Sequence, residues 1–270
     1  KPLYEEAVAK AKAESTDEIK KGVGIAWGGF NVTEGGGDSA EVALELMPGN
    51  KIRKYDTWHA MGQGATTGSL VVTLEALKEM HLTPEDIQLI QNDTKTCPDT
   101  GMAGASRSLY MDGNATIIAA NKLLAAMRKE DGTLRTYDEM KAEGIETKYL
   151  GRYETNTTPG LCRLDPNTGI GDPTPAFTYC LNLAEVEVDT KTGKTTVLKF
   201  TCVDFVGRIG NIDAVNGQAY SGIMHGIGFA LKEDYADVKK HANMFGAGTS
   251  YIKDVPDLSL IHISEPTRLR

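Results

Sequence analysis

Hydrophobic residues recur at two different spacings along this chain, which indicates both helices and strands. Leucine and valine residues in 66–80 lie on one face of a helix. Residues 105–127 carry a second and longer helical pattern, through Ile117, Ala120 and Leu123. Shorter apolar runs predict strands at 22–30, 40–47, 52–58 and 87–92.

A strand, a loop of small residues and a helix follow one another twice. Strand 52–58, which pairs with 40–47 across the turn Pro48-Gly49-Asn50, precedes the first loop and helix 66–80. Strand 87–92 precedes the second loop, residues 93–104, and the long helix 105–127. This recurrence is the strongest organisational signal in the chain.

Composition excludes several classes of protein. Apolar residues at 40% and charged residues at 24% are ordinary for a globular protein. A net charge of −8 disfavours nucleic acid or an anionic membrane as the main partner, and no apolar run reaches the length of a membrane helix. The four cysteines form no Cys-x-x-Cys pair, so we expect neither a zinc site nor a disulfide framework, and a cytoplasmic location.

The segment around Gln63 is the first candidate for chemistry. Gly62, Gly64 and Gly68 allow positive φ angles and close approach of the backbone to a ligand. The amide of Gln63 offers donors and an acceptor, and the following helix turns its unpaired N–H groups toward this loop, which suits a phosphate. Taken alone, the segment is equally consistent with a tight glycine turn that carries an exposed glutamine.

Other motifs narrow the chemistry by their absence. Ser106 and Ser108 lack a Gly-x-Ser-x-Gly elbow, so we expect helix-start residues and no nucleophile. The histidines show no His-x-x-x-His spacing, so no metal ligand is predicted, and no glycine loop matches a Rossmann or Walker pattern. Several separate loops rich in backbone N–H groups remain, which suits a large ligand with phosphates.

Three motifs in a fixed order carry a resemblance to a known family. They are Met61-Gly-Gln-Gly64, Pro98-Asp-Thr-Gly-Met-Ala-Gly-Ala-Ser-Arg-Ser108 and Gly217-Gln-Ala-Tyr-Ser-Gly-Ile-Met-His-Gly-Ile-Gly228. Together they resemble the molybdopterin-binding part of the xanthine oxidase family, above all the molybdenum aldehyde oxidoreductases of anaerobic sulfate reducers. The likeness extends over nearly all of residues 22–256.

The resemblance implies roles for individual residues in cofactor binding. The family's glutamine loop corresponds to Met61, Gly62, Gln63 and Gly64, with Gln63 facing the metal centre and the pterin. The family's Ala-Ser-x-Ser contact corresponds to Ala105, Ser106 and Ser108, and Arg107 at the variable position would hold a phosphate. His225 stands where relatives often carry a cofactor-contacting glutamine, and an imidazole there differs in reach and charge.

The resemblance also implies an activity for a longer parent protein. That protein would oxidise a small aldehyde to a carboxylic acid with water as the oxygen source. It would use molybdenum on molybdopterin, in the cytosine dinucleotide form, and 2Fe–2S clusters in iron–sulfur domains outside this chain, and it would be a homodimer. The family's general-base glutamate is expected downstream, so no catalytic residue is assigned here and the chain alone is expected to be inactive.

Two alternatives stay open at this point. One is a hydroxylase of the same family that acts on purines or other heteroaromatics, because substrate-selecting residues lie partly outside these residues. The other is a non-catalytic module that binds a nucleotide-type ligand through its glycine loops.

The predicted fold is α+β, with two related lobes of mixed β-sheets flanked by helices. A charged N-terminal helix (1–21) precedes the first molybdopterin-binding lobe (22–130), and a polar surface excursion (131–175) with a short helix at 137–143 follows it. The second lobe (176–257) contains a hairpin from 183 to 203 and a helix at 213–233, whose glycines predict close packing. Residues 258–270 resemble a sequencing-library adapter translated in frame, so we expect an artefactual tail.

Overall fold

The structure is a computed structural model that describes residues 1–32, 37–155 and 162–231. The chain forms two compact units, one of Phe30–Thr178 and one of Lys1–Gly29 with Tyr179–Arg270. Each unit combines helices with a β-sheet, so the predicted α+β class is confirmed. The search for a helix long and apolar enough to cross a membrane finds none in the described ranges.

The described ranges contain five α-helices and seven strands. Short 3-10 turns follow β2 and α2 and precede β4, and a π-helical turn, Ser108–Asp112, leads into α3. In chain order the elements are α1 (Pro2–Glu14), β1 (Ile19–Val32), β2 (Ser39–Met47), β3 (Lys51–Asp56), α2 (Ala65–Ala76), β4 (Ile87–Gln91), α3 (Gly113–Met127), α4 (Tyr137–Ala142), β5 (Lys148–Glu154), β6 (Ala176–Asp189), β7 (Thr195–Phe205) and α5 (Ile212–Leu231).

The unit Phe30–Thr178 is built on a four-stranded mixed sheet in the order β4-β3-β2-β5. Strand β2 pairs antiparallel with β3 and with β5, as the predicted hairpin requires for the first of these pairs. Strands β3 and β4 run parallel, with Lys54 opposite Leu89. The two predicted strand–loop–helix segments are therefore neighbours, because their strands are adjacent in the sheet.

The core of this unit lies where α3 packs against the sheet. Leu44 and Leu46 of β2 and Ile52 of β3 are fully buried together with Leu123 of α3 and Leu77, which follows α2. Burial of each such side chain stabilises the fold by about 1.5–3 kcal/mol. The helical spacing of leucines seen in the sequence is thus used to cover one face of the sheet.

Helix α3 approaches β5 so closely that only glycine fits at position 151. A Cβ atom built on Gly151 would lie 2.0 Å from the carbonyl oxygen of Ala115 and 2.5 Å from the nitrogen of Ala119. Both of these are backbone atoms of α3, which cannot turn aside as a side chain can. The short distance between α3 and β5 is therefore possible only because glycine has no side chain.

The unit that contains α1 has a three-stranded sheet in the order β1-β6-β7. Strands β6 and β7 form the predicted antiparallel hairpin, although both strands are longer than the sequence pattern indicated. The Asp189 carboxylate accepts hydrogen bonds from the backbone nitrogens of Lys191 and Thr192 at 2.8 and 2.9 Å. These bonds close the turn between the two strands.

Three expectations from the sequence need correction. The first helix ends at Glu14 and not at Lys21, because the Ser15 hydroxyl donates to the Ala11 carbonyl at 2.8 Å and accepts from the Lys21 nitrogen at 2.9 Å. The segment 131–175 contains the predicted short helix as α4, but also β5, which was not predicted. The hydrophobicity pattern does not predict β5, because Gly151 is the only buried residue in this strand.

The third correction concerns the glycines of α5. They were predicted to pack closely against backbone or a ligand. Among the described residues, a Cβ atom built on Gly222 or Gly226 would meet no atom within 4 Å, so close packing against backbone is absent at these two positions, whereas Gly228 is buried. The predicted end of this helix at 233 and the tail 258–270 lie outside those residues. The proposed lobes 22–130 and 176–257 stay a prediction.

Candidate functional site

Two loops leave the carboxyl ends of the adjacent parallel strands β3 and β4 and lead toward α2 and α3. In a parallel pair these ends share one edge of the sheet, which is where ligands bind in open α/β sheets. The backbone nitrogen of Thr100 in the second loop donates to the Thr57 hydroxyl of the first loop at 3.1 Å, and the two hydroxyls share a short hydrogen bond. The fold therefore brings together the two loops that the motifs singled out.

The first loop turns through left-handed backbone conformations. Gly62 has a φ of 103° and Gly64, the N-cap of α2, has a φ of 82°. A Cβ atom on Gly62 would meet no atom of the described residues within 4 Å, so with respect to them the space beside this backbone is open. Gly64 has no side chain to cap the first turn of α2, whose N–H groups are therefore suited to an anion.

Gln63 turns its amide back onto its own loop. Its Oε1 accepts from the backbone nitrogen of Met61 at 2.5 Å, and its Nε2 donates to the His59 carbonyl at 3.1 Å. Both hydrogen bonds are exposed, and the Met61 side chain beside them is 73% exposed. An exposed hydrogen bond of this kind contributes little to stability, so the amide can exchange it for a ligand.

The second loop has an unusual backbone directly before its helix. Ala105 and Ser106 have φ angles of 46° and 57°, in a region that residues with a Cβ atom seldom adopt. Such residues cost of the order of 1–3 kcal/mol each and cluster at ligand-binding sites. The Ser106 side chain is exposed, and Ser108 then starts the π-helical turn, a feature that is frequent at functional sites.

Arg107 binds several groups within the protein. Its side chain is buried, and Nε and Nη2 donate to the two carboxylate oxygens of Asp38 at 2.6 and 2.7 Å. Nη1 donates to the Met102 carbonyl at 3.1 Å and also to that of Thr100, and Nη2 donates to that of Ser39. All five N–H groups of the guanidinium thus have a partner within the protein, and the phosphate contact expected for Arg107 stays a prediction.

A buried group of charges, which the sequence patterns did not predict, adjoins the two loops. Lys54 and Asp56 of β3 and Asp112 of the π-helical turn are all fully or almost fully buried. Lys54 Nζ lies 2.9 Å from Asp112 Oδ1 and 3.3 Å from Asp56 Oδ2. A signal was present in β3, where Lys54 and Asp56 occupy the same alternating face as Ile52, which is fully buried.

Burial perturbs one member of this group. It raises the pKa of Asp112 to about 6, against the opposing effect of the Lys54 ammonium. The carboxylate of Asp56 raises the pKa of Asp112 further, by repulsion. Oδ2 of Asp112 has no hydrogen-bond partner among the described residues, which is consistent with a costly ionised form.

His225 lies on α5, in the unit that contains α1. Its side chain is exposed within the described residues. The role expected for it at the cofactor stays a prediction, as do the roles of Met61, Gly62, Gln63, Gly64, Ala105, Ser106 and Ser108.

Comparison with known proteins identifies close relatives. The family of molybdopterin cofactor-binding domains matches residues 1–256. An aldehyde oxidoreductase from Megalodesulfovibrio gigas is 40% identical over 267 residues, which are 98% of this chain and 29% of that protein. The crystal structure of the aldehyde oxidoreductase from Desulfovibrio desulfuricans gives a TM-score of 0.84 at 42% identity and covers 98% of this chain and 28% of that one.

More distant relatives share the fold. A probable hypoxanthine oxidase from Escherichia coli is 28% identical over 214 residues, which are 73% of this chain and 22% of that protein. A copper- and molybdenum-containing CO dehydrogenase gives a TM-score of 0.71 at 17% identity over 98% of this chain and 37% of that one, which shows the fold alone. The chain thus spans less than a third of the length of the aldehyde oxidoreductases that it matches.

Proposed function

Because this chain belongs to the family of molybdopterin cofactor-binding domains, within the xanthine oxidase family, we propose that it forms part of the cofactor site of a longer aldehyde oxidoreductase. That protein would oxidise small aldehydes to carboxylic acids with water as the oxygen source. The adjacency of the two motif loops at the carboxyl ends of β3 and β4 carries the proposal. The 40% identity to an aldehyde oxidoreductase favours this substrate class over purines, for which the identity is 28%.

The residues of the two loops fit a large anionic cofactor. Open space beside Gly62, the exposed hydroxyl of Ser106 and the uncapped start of α2 together offer backbone and side-chain donors to phosphates and to a pterin. The strained backbone at Ala105 and Ser106 supports the same interpretation, since strain of this kind recurs where a ligand is held. The proposed cofactor is molybdopterin cytosine dinucleotide with molybdenum, which supplies two-electron oxidation chemistry when bound.

Each residue then has a binding role and none has a proton-transfer role. Gln63 would exchange its hydrogen bond to the His59 carbonyl for one to the cofactor, while the backbone of Met61, Gly62 and Gly64 contacts it directly. Arg107 would support the second loop from inside the fold through Asp38. We assign no general base to these 270 residues and propose that it lies in another part of the longer protein.

The remaining proposals concern the longer protein. We propose that it contains iron–sulfur domains with 2Fe–2S clusters that accept the electrons, and that it is a homodimer. A cytoplasmic location is proposed because Cys97, Cys162, Cys180 and Cys202 are all free thiols.

The test is metal and pterin analysis of the longer protein that contains this chain, followed by dye reduction with an aldehyde and with hypoxanthine. We expect molybdenum, pterin and aldehyde-dependent reduction, with hypoxanthine inactive. Gln63→Ala should lower pterin content without lowering the unfolding midpoint, whereas Gln88→Ala, an exposed glutamine on β4, should change neither. Purified protein without molybdenum or pterin would overturn the proposal, and turnover of hypoxanthine alone would replace the aldehyde by a purine.

A further inference from the structure

Three buried charged residues connect β3, which precedes the first loop, with the π-helical turn, which follows the second loop. We propose that Lys54, Asp56 and Asp112 form a positioning cluster that fixes the two loops relative to each other, and that the cluster gains and loses one proton at Asp112. Their side chains are 0–2% exposed, and Lys54 lies between the two carboxylates at 2.9 and 3.3 Å. The effect of the cluster on cofactor retention rests on the proposed function, whereas the protonation of Asp112 is independent of it.

Asp56 connects the cluster to the first loop. Its Oδ1 accepts from the backbone nitrogen of Trp58 at 3.3 Å and from Gln91 Nε2 at 2.8 Å, and its Oδ2 accepts from the Ser69 hydroxyl at 2.8 Å. Lys54 Nζ also lies 5.2 Å from the centre of the Trp58 ring, which is within the range of a cation–π contact. Asp56 thus accepts three hydrogen bonds besides its ion pair with Lys54, whereas Asp112 accepts one besides its own.

Asp112 connects the cluster to the second loop, because it ends the π-helical turn that starts at Ser108. Its Oδ1 accepts from Lys54 Nζ and from the Thr116 hydroxyl at 3.1 Å, while its buried Oδ2 has no partner among the described residues. A bare, buried and ionised oxygen is costly. A proton on Oδ2 neutralises the carboxyl group and thereby lowers that cost.

Charge balance leads to the same conclusion. Among the described residues, Lys54 and Asp56 are the charged groups that act on Asp112. One ammonium cannot neutralise two carboxylates, so the cluster carries a net charge of −1 with Asp112 ionised and is neutral with Asp112 protonated. The raised pKa of Asp112, about 6, agrees with this balance. We therefore expect tighter loops below this pH, and a looser contact between Lys54 and Trp58 above it.

Trp58 gives a direct measurement of the proton. The chain has two tryptophans, so Trp27→Phe leaves Trp58, which is buried, as the single tryptophan, and excitation selective for tryptophan avoids the tyrosines. Histidine ionises in the same pH range, so His59→Gln is included in every variant. The emission of Trp58 should then titrate with one midpoint near pH 6 in this background.

Variants at position 112 decide the outcome. Asp112→Asn should abolish the titration, whereas Asp131→Asn, which removes an exposed carboxylate, should leave it unchanged. A titration that persists in Asp112→Asn, or one that is absent from the background itself, would overturn the protonation. Far-UV circular dichroism and the unfolding midpoint show whether each variant is folded. If Asp112→Asn does not fold, Lys54→Met is the second variant: it removes the group that lowers the pKa of Asp112, so the midpoint should move to higher pH, and an unchanged midpoint would overturn the protonation.

Cofactor retention tests the positioning role in the longer protein. Asp112→Ala should lower pterin content by about tenfold or more, as is typical when a residue that orients the ligand-binding groups is lost. Asp112→Asn keeps the shape of the protonated carboxyl group and should hold pterin to within about twofold of the wild type. Equal pterin content in wild type and Asp112→Ala would overturn the positioning role. If the wild type itself holds no pterin, the proposed function fails, and the Trp58 titration still decides on the proton.

Discussion

Arg107 and Asp38, which are 69 residues apart in the sequence, form a bidentate ion pair with nitrogen–oxygen distances of 2.6 and 2.7 Å. Arg107 stands between Ser106 and Ser108 in the second loop, whereas Asp38 immediately precedes β2. The pair thus fastens a predicted cofactor motif to the start of the sheet. Such a geometry combines charge with directional hydrogen bonds, which makes it specific as well as strong.

Arg107→Met should therefore destabilise the chain strongly. The substitution removes the partner of a partly buried carboxylate and of the Met102 carbonyl, and breaking a buried pair from one side costs about 3–5 kcal/mol. Denaturant unfolding measures the loss. Arg152→Met is the matched control, because Arg152 is about half exposed and pairs with Glu41 and Glu154 at the surface, where a pair is worth about 0–1 kcal/mol. Similar losses for the two variants would contradict a structural role for Arg107.

Gly101→Ala should disturb the same guanidinium. Gly101 has a φ of 71°, and a Cβ atom there would lie 2.6 Å from Arg107 Nη2. Gly49→Ala separates the two effects, since Gly49 has a φ of 74° with nothing within 4 Å. Both variants bear the backbone cost of about 1–2 kcal/mol, and Gly101→Ala should lose about 1–3 kcal/mol more. Unfolding free energies that agree for the two variants would show that Arg107 is not held against this glycine.

Gly151→Ala should prevent close packing of α3 on β5. The added methyl group would overlap backbone atoms of Ala115 and Ala119, so helix and strand must separate, and we expect a loss of at least about 3 kcal/mol. Thermal unfolding followed by circular dichroism measures it. Gly24→Ala in β1, where a Cβ atom meets nothing within 4 Å, should change stability little. A Gly151→Ala protein as stable as Gly24→Ala would refute the contact.

Glu139 gives a prediction about pH. Hydrogen bonds from Lys129, at 2.6 Å, and from the Thr136 nitrogen, at 2.7 Å, lower the pKa of Glu139 to about 2. Since its folded pKa lies below its ordinary value of 4.5, its contribution to stability is present above that value and is lost as the pH falls toward 2.

Glu139→Gln should therefore lower the unfolding midpoint near neutral pH, with a difference from wild type that shrinks at about pH 3. Urea unfolding at several pH values measures this difference. Asp138→Asn is a suitable control, because Asp138 lies in the same first turn of α4 but does not accept the hydrogen bonds that Lys129 and Thr136 donate to Glu139. A difference that stays constant with pH would mean that the negative charge of Glu139 is not what stabilises the helix start.

Local patterns were sufficient to predict most elements of the unit Phe30–Thr178. The spacing of leucines predicted α2 and α3, and the turn Pro48-Gly49-Asn50 predicted the hairpin of β2 and β3. These elements are determined locally because one apolar face or one turn is enough to define each of them. Strand β5 was missed because its fit depends on Gly151 meeting α3, a contact with no periodic signature.

The candidate site divides in the same way. The sequence by itself determined the motif loops and, through them, the family, because a glycine turn and a residue order are properties of the chain alone. Only the tertiary structure decided that Arg107 pairs with Asp38, and that Lys54, Asp56 and Asp112 share one buried site. The sequence pattern does not identify the partner of a charged residue. That partner depends on which strands and turns become neighbours in the fold and on how much water they exclude.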